Sequence, residues 1–372
     1  MAFAVVSSAY CAYAGRSVGF GADAFTRLMS GYDKSAAFSP ISFEIDAVQF
    51  ANAADTITRA NMAETMGVLN DLAATYIPIY RDLNDNTITD GCSFVSARAF
   101  CVPEPRLVAP SFRQRLQDDY SSNVLPIFPK EGAECWFRAM MDGDMEDFAI
   151  SESVAVRNRF AYYDLVSICL AWAEPFPREN TKERVFESID GQKLKLPMIC
   201  DSRIATTWEN SRMSVLKLPM ADGCDLYLLK PRGKATIEDV KKELTSDRIS
   251  IVLSIMRSVT EQGVTSGPVA IVIPKFDLTS SFDLTSVMRS FKFQTGNIKE
   301  LGDNLASSSI IQTTRFRLDE NGVGTAIEKK NSDEEVKVDQ KTKKMLFNRS
   351  FLYFVYSAKH DALIVAGQFT GK

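Results

Sequence analysis

Few residues in this chain have the type and spacing that covalent catalysis requires. The single histidine, His360, lies in a segment that we predict to be a turn between two strands. A hydrolase would need His360 as a base. However, the chain has no Gly-x-Ser-x-Gly turn, and no other motif identifies a serine or cysteine as the nucleophile that His360 would activate. Glycine-rich phosphate loops are absent as well. We therefore predict that the protein is not an enzyme and that His360 is a solvated turn residue.

The cysteines do not form a metal or disulfide pattern either. There are seven, an odd number, and no two of them are separated by only two residues: Cys11, Cys92, Cys101, Cys135, Cys169, Cys200 and Cys224. Zinc sites need closely spaced cysteines, and disulfide scaffolds usually contain an even number of them. We expect these side chains to act as small buried hydrophobic groups.

Composition excludes two further classes of function. The chain has 372 residues, of which 45% are hydrophobic and 24% are charged, and its net charge is −4. This composition suits a globular protein with a large core but gives no basic excess for nucleic acid. No run approaches the roughly 20 apolar residues of a membrane-spanning helix. We predict no nucleic-acid or membrane partner, and both a secreted and a cytoplasmic location remain open.

The strongest functional candidate is a long polar segment near the C-terminus. A strand with alternating apolar residues ends in 318–322, a charged run follows, and a second strong strand pattern begins at 347. Loops longer than about 12–15 residues are uncommon inside compact domains unless they are functional or disordered. We predict that this segment is presented to a partner.

Helix signals stand mostly in the first half of the chain. Ser39 is a good N-cap, and Pro40 suits the first helical position because its missing N–H costs nothing there. A second helix is predicted near 109–120. A third is predicted over 133–150, with one broad apolar face that we assign to core packing: Trp136, Phe137, Met140, Met141 and Met145.

Strands dominate from about residue 158 onward. The mostly apolar run from Val154 to Trp172 predicts a central strand that is buried on both faces. Asp164 interrupts this run, and a buried carboxylate needs a partner. Further strands follow, with one helix near 236–244 between them: 185–186, 194–198, 214–218, 224–229 and 270–275. The chain lacks a linker and is interpreted as one interwoven unit of mixed α and β structure.

Six segments, taken in order, resemble conserved motifs of the serpin family. Residues 38–42 (FSPIS) resemble its FSPxS helix start, and 172–181 resemble its W-x-x-P-F strand end with the threonine that follows. Residues 185–198 are similar to its V-P-M-M region, and 273–284 to its L-P-K-F and Y-D-L segments. Residues 318–322 (LDENG) and 347–351 (FNRSF) look like the entry and exit of the reactive-centre loop.

The resemblance implies a serpin fold with three β-sheets, eight or nine helices and an exposed reactive-centre loop. It implies a single domain over 1–372 with the loop at 320–346, and a monomer that needs no cofactor. In inhibitory serpins a target protease of the serine or cysteine type cleaves the loop. The loop then inserts into the central sheet of a metastable fold, and this conformational change traps the acyl-enzyme.

Family spacing gives a window for the cleaved bond. Counting forward from Gly322 places the residue before the bond at Val336, whereas counting back from Phe347 places it at Asp339. The scissile bond is therefore expected between Val336 and about Lys341. Lys337 would favour a trypsin-like enzyme, Val336 an elastase-like one, and Asp339 one that prefers acidic residues.

The family hinge, where insertion starts, corresponds to Glu320, Gly322, Val323, Gly324, Thr325 and Ala326. Strand residues alternate between the two faces of a sheet. Val323, Thr325 and Ile327 could therefore face the core. Further along, the side chains of Lys329, Asn331 and Asp333 would point inward, and an unpaired buried charge costs several kcal/mol. Two functions remain open: a protease inhibitor, and a non-inhibitory binding, storage or chaperone-like protein.

The resemblance also predicts where the sheet must open. The residues concerned are Ser39, Pro40, Asp164, Trp172 and Gln312. An Asn–His pair of the family corresponds to Asp164 and Gln312, and the glutamine amide could donate a hydrogen bond to the carboxylate. The alternative is a shifted register in which Asp164 faces water.

Overall fold

The helix that follows Ser39 begins where this capping residue predicts. The computed structural model describes residues 18–68, 71–85, 92–127, 130–141, 145, 159–262, 267–293, 298–301, 305–324 and 342–372. These ranges contain nine α-helices: α1 (Val18–Met29), α2 (Pro40–Ala53), α3 (Thr56–Thr65), α4 (Leu72–Leu83), α5 (Pro110–Tyr120), α6 (Lys130–Met140), α7 (Ile237–Glu243), α8 (Ser246–Glu261) and α9 (Thr285–Ser290). Ser39 caps α2 by accepting the Ser42 N–H at 3.3 Å, with Pro40 at the start of the helix.

Sixteen strands lie in the same ranges and form three sheets. They are β1 (Ala36–Phe38), β2 (Cys92–Val102), β3 (Ser122–Pro126), β4 (Arg159–Ala171), β5 (Lys182–Glu187), β6 (Lys193–Ile204), β7 (Thr206–Glu209), β8 (Met213–Pro219), β9 (Cys224–Pro231), β10 (Pro268–Pro274), β11 (Phe276–Asp283), β12 (Ala306–Leu318), β13 (Gly322–Val323), β14 (Lys343–Leu346), β15 (Phe351–Ser357) and β16 (Ala362–Phe369).

The order of strands in the central sheet positions the candidate site. This sheet runs β11-β12-β13-β4-β2-β3, and a second six-stranded sheet runs β1-β16-β15-β9-β8-β7. The third sheet has the order β14-β10-β6-β5. The expected mixed fold with three sheets is confirmed.

Helix α2 connects the two larger sheets. The Ser39 hydroxyl donates to the Ile364 carbonyl of β16 at 2.8 Å, and the Ser42 hydroxyl donates to Asp164 of β4 at 2.6 Å. All but one of the residues of α2 are buried, including the carboxylates of Glu44 and Asp46. A helix that is buried all round carries its polar groups into the core, where each of them needs a partner.

The predictions about helices need two corrections. The structure contains four helices that were not predicted, α3, α4, α8 and α9. Thr245 caps α8, and its buried residues Ile249, Val252, Leu253 and Met256 follow a helical period. The helix predicted over 133–150 is α6, which ends at Met140. Met140 was assigned to the core but is 44% exposed.

The structure also corrects the predictions for the histidine and for some of the cysteines. His360 lies in the turn between β15 and β16, as predicted, but its side chain is only 9% exposed, with Nε2 2.8 Å from Asp82 Oδ2. Cys101 and Cys224 are buried, as expected, whereas Cys169 and Cys200 are half-buried and Cys135 is exposed on α6. None of the helices in the described ranges has the length and apolar character needed to span a membrane.

Candidate functional site

The site is built around the two middle strands of the central sheet. Strands β4 and β12 run parallel and pair directly from Arg159 with Ala306 up to Ser167 with Arg315. Beyond that point they separate, and β13 lies between them. Leu318 of β12 pairs with Val323, which also pairs with Leu170 of β4. The chain that leads into the polar loop therefore occupies the upper end of this gap.

Two glycines allow β13 to lie so close to β4. Gly322 has φ +149, and a Cβ there would lie 2.0 Å from the Leu170 carbonyl oxygen. Gly324 has φ +73, and a Cβ there would lie 2.2 Å from the Ile168 carbonyl oxygen. Any other residue would clash with backbone atoms at either position, and φ +73 is left-handed backbone that favours glycine. Val323 between them is fully buried.

A carboxylate anchors the turn just before β13. The Lys275 ammonium lies 2.7 Å from Glu320 Oε2, and the Thr181 hydroxyl donates to Glu320 Oε1 at 2.6 Å. Burial acts to raise the pKa of Glu320, but the hydrogen bonds from Lys275 and Thr181 outweigh it and hold the pKa below its usual value. Glu320 is therefore held as a charged anchor, and we call Glu320, Lys275 and Thr181 the entry cluster.

Trp172 completes the upper end of the site. Its indole N–H donates to the Asp319 carbonyl at 2.9 Å, and its backbone N–H donates to the Asn321 carbonyl at 2.9 Å. The ring packs against Phe176 with centroids 5.3 Å apart, and the Arg203 guanidinium lies 3.7 Å above the Phe176 ring. Trp172 therefore stabilises the turn at the entry and lies away from Asp164.

The predicted bond between Gln312 and Asp164 is present. The two residues are direct neighbours in the register of β12 and β4, and the amide nitrogen of Gln312 donates to Asp164 Oδ2 at 3.1 Å. The same amide holds both backbone groups of Ser39, since its oxygen accepts the Ser39 N–H at 2.9 Å and its nitrogen donates to the Ser39 carbonyl at 3.2 Å. The alternative, an Asp164 that faces water, is wrong because the side chain is fully buried.

An arginine beneath Asp164 was not predicted from the sequence. Arg98 of β2 is fully buried, and its Nε lies 3.3 Å from Asp164 Oδ1 and 3.2 Å from Asp46 Oδ1. It also donates to the Ser42 hydroxyl. The one available signal was the position of Arg98, two residues from Phe100 on the inward face of an apolar strand. We call Arg98, Asp46, Asp164, Ser42 and Gln312 the buried cluster.

The buried cluster holds two carboxyl groups and one cation. One guanidinium faces both carboxyl groups, and the Tyr162 hydroxyl donates to Asp46 Oδ1 at 2.7 Å. Burial and then the neighbouring Asp164 raise the pKa of Asp46 well above its ordinary value, although Arg98 acts against this. The raised pKa favours the neutral, protonated form of Asp46, which reduces the negative charge that faces Arg98.

The other site residues that were predicted from the sequence lie near the buried cluster, at the entry or in the loop. Ser39 and Pro40 lie beside Gln312 at the start of α2, and Glu320, Gly322, Val323 and Gly324 lie at the entry. Thr325, Ala326 and the whole window from Val336 and Lys337 to Lys341 lie outside the described residues.

Comparisons with known proteins agree on one family. Residues 16–371 match the family model described as serpin (serine protease inhibitor). Serpin-Z4 of Arabidopsis thaliana is 21% identical over 372 residues, covering 89% of this chain and 90% of that protein. Serpin-Z1A of Triticum aestivum is 24% identical over 230 residues, and the aligned part spans 57% of each protein.

Solved structures show the same fold at low identity. Native protease nexin-1 with heparin superposes with a TM-score of 0.80 at 18% identity, covering 95% of this chain and 97% of that one. Thyroxine-binding globulin in complex with thyroxine gives a TM-score of 0.77 at 15% identity, covering 94% and 98%.

Proposed function

The chain belongs to the serpin family, and we propose that it inhibits a protease by inserting its cleaved loop into the central sheet. The observation that carries the proposal is the position of β13. Val323 already pairs with both Leu170 and Leu318, so the first residues of the hinge lie between the two strands that must separate. Strand addition at this gap would continue an arrangement that the native fold has started.

The free energy for trapping would come from completing the sheet. Each further loop residue that inserts adds backbone hydrogen bonds to β4 and β12, and every second inserted side chain becomes buried. The native chain would then be metastable, because its most stable sheet forms only after the loop is cut. We assign the cut to the window from Val336 and Lys337 to Lys341, and the partner to a serine or cysteine protease that meets a monomer.

A panel of proteases tests this function directly. The chain is incubated with trypsin-like, elastase-like and cysteine proteases, and each mixture is separated on a denaturing gel. We expect one class of enzyme to give an SDS-stable complex of protease and chain, with a C-terminal fragment that begins within 337–342. Cleavage by every enzyme without such a complex would contradict the proposal.

A second candidate function is a binding protein that no longer traps proteases. It is favoured by the charged residues of the loop, and a structural neighbour with the same fold is described as a complex with thyroxine. Such a protein would be cut in the loop without a rise in thermal stability. Melting the intact and the cleaved chain separates the two candidates, because an inhibitor gains stability when its loop inserts.

A further inference from the structure

Two carboxyl groups lie close together in the buried cluster. Arg98 Nε lies 3.2 Å from Asp46 Oδ1 and 3.3 Å from Asp164 Oδ1, so one guanidinium bridges the two carboxyl groups. The three side chains are at most 1% exposed. If both carboxyl groups were ionised, two negative charges would share one cation away from water, which is strongly unfavourable.

The hydrogen bonds of this pair leave one oxygen on each carboxyl group without a partner. Asp164 Oδ2 accepts from the Ser42 hydroxyl at 2.6 Å and from the Gln312 amide at 3.1 Å. Asp46 Oδ1 accepts from the Tyr162 hydroxyl at 2.7 Å. Within the described ranges, Asp164 Oδ1 and Asp46 Oδ2 are buried and have no hydrogen-bond partner. Two carboxylates cannot bond to each other, because neither has a hydrogen to donate.

One proton on Asp46 would satisfy both of these oxygens. The resulting Asp46 Oδ2–H would donate to Asp164 Oδ1, and the negative charge that remains would match the single charge of Arg98. Burial first, and then the charge of Asp164 and a hydrogen bond with it, raise the pKa of Asp46 well above its usual value, although Arg98 acts against this. The direction of this shift agrees with the unpartnered oxygens and with the charges.

Among the described residues, two tyrosines and Arg98 are the other titratable groups that face the pair. Tyr162 of β4 lies beside Asp46, and the ring centroid of Tyr80 from α4 lies 4.8 Å from the guanidinium carbon of Arg98. Burial is the largest of the causes that raise the pKa of Tyr162 well above its usual value, so this hydroxyl keeps its hydrogen. Gln49 donates to the oxygen of the same hydroxyl at 3.0 Å, which leaves the Tyr162 hydrogen for Asp46.

We propose that Asp46 and Asp164 share a single proton, and that this proton holds α2 against the closed central sheet. Asp164 also bonds to Ser42 of α2 and to Gln312 of β12, so the pair joins the helix to both strands that border the gap. Loss of the proton would leave two negative charges at one guanidinium, and their repulsion would push α2 away from β4. This role of the proton belongs to the uncleaved chain and does not require the loop to insert.

Infrared spectroscopy of the full chain tests whether the proton is present. The aspartates are labelled with carbon-13 at the side-chain carboxyl, so that their bands are distinguished from those of the glutamates. We expect the C=O band of a protonated aspartate at about pH 7, where solvated aspartates are ionised. The band should be absent in Asp46→Asn, and also in Asp164→Asn, because Asp46 then ionises against Arg98. A parent chain without a protonated aspartate at this pH would overturn the proposal.

The pH dependence of stability tests what the proton contributes. Urea unfolding is followed from about pH 5 to about pH 9 for the parent and for Asp46→Asn, whose side-chain amide can donate to Asp164 without titrating. Because the folded pKa is raised, the contribution of Asp46 is fully present below the pKa of the unfolded carboxyl and is lost as the pH rises through the folded pKa. Relative to Asp46→Asn, the folding equilibrium constant of the parent should therefore fall by up to about tenfold per pH unit until the folded pKa is reached.

Two further variants separate a shared proton from burial alone. In an Asp164→Asn background, adding Asp46→Asn should remove no such slope, because Asp46 is then charged and paired with Arg98. Glu44→Gln is the matched control. Burial raises the pKa of this second carboxyl of α2 as well, but Glu44 accepts the Gly21 N–H at 2.7 Å. Glu44→Gln should leave the labelled aspartate band in place.

Hydrogen exchange tests whether the proton holds the sheet closed. At each pH, the exchange rate of the β4 and β12 amides in the parent is divided by the rate in Asp46→Asn, so that the intrinsic pH dependence of exchange cancels. This ratio should rise with pH over the same range. A band that survives in Asp164→Asn would show that burial alone protonates Asp46, and a constant ratio would show that the proton does not hold the sheet. Either result would overturn the proposal.

Discussion

At the top of the central sheet, β13 already lies between β4 and β12, whereas six residues further down the same strands bond directly through Asp164 and Gln312. The entry cluster at the top uses an ion pair in which the Lys275 side chain is 34% exposed. The buried cluster below uses Arg98 and Asp164, which are both fully buried. Solvent reaches the Lys275 end of the first pair, whereas its Glu320 side chain is only 5% exposed, and solvent cannot reach the second pair.

This difference indicates where opening of the sheet is resisted. A partly exposed ion pair contributes less than a fully buried one, and a buried charge whose partner is removed costs several kcal/mol. The proposed insertion would therefore meet its largest barrier at the buried cluster rather than at the entry. Three substitutions test this comparison, in order of decreasing expected effect.

Arg98→Met should have the largest effect. It leaves Asp46 and Asp164 buried without a cation, so the free energy of unfolding should fall by roughly 3–5 kcal/mol in urea denaturation. The control is Arg106→Met, because Arg106 pairs with Glu104 on the surface with its side chain 84% exposed. The control should lose less than about 1 kcal/mol. Equal losses in the two variants would break the comparison.

Gly322→Ala should have a smaller effect that is confined to the entry. The added Cβ would lie 2.0 Å from a backbone oxygen that cannot move aside, so we expect β13 to leave the sheet at a loss of about 2 kcal/mol. Hydrogen exchange of residues 320–324 should become faster. Gly19→Ala is the control, since a Cβ at Gly19 meets no atom within 4 Å. Unchanged exchange at 320–324 would show that β13 tolerates the side chain.

Lys275→Met should have the smallest effect, below about 1 kcal/mol at neutral pH. The lowered pKa of Glu320 means that its ion pair stabilises the fold above the pKa of the unfolded carboxyl and is lost as the pH falls through the folded pKa. The difference in Tm between the Lys275→Met variant and the parent should therefore shrink as the pH is lowered from neutrality through the folded pKa of Glu320. Lys275→Arg, which keeps the charge, should show no such difference. A difference that does not shrink as the pH falls would rule out the ion pair as its cause.

The sequence predicted contacts whose positions follow from strand register. Asp164 and Gln312 could be matched because each lies at a counted position of a recognised strand, and the hydrogen bond between them is present in the structure. The role of Ser39 as the N-cap of α2 could be predicted from four consecutive residues. Local patterns of this kind depend on neighbours in the chain and are therefore visible without a structure.

Contacts between distant elements could not be predicted in this way. Arg98 and Asp46 are 52 residues apart and meet only because α2 packs under β2. The same applies to Lys275 and Glu320, which were both recognised in motifs but were not paired.

The most direct test is a crystal structure of the chain after its loop has been cut within 336–341. The proposed function predicts that the cleaved loop, from Val323 onward, forms a strand between β4 and β12. The bond between Gln312 and Asp164 would then be gone. A cleaved chain in which Gln312 still donates to Asp164 at about 3.1 Å would contradict the account.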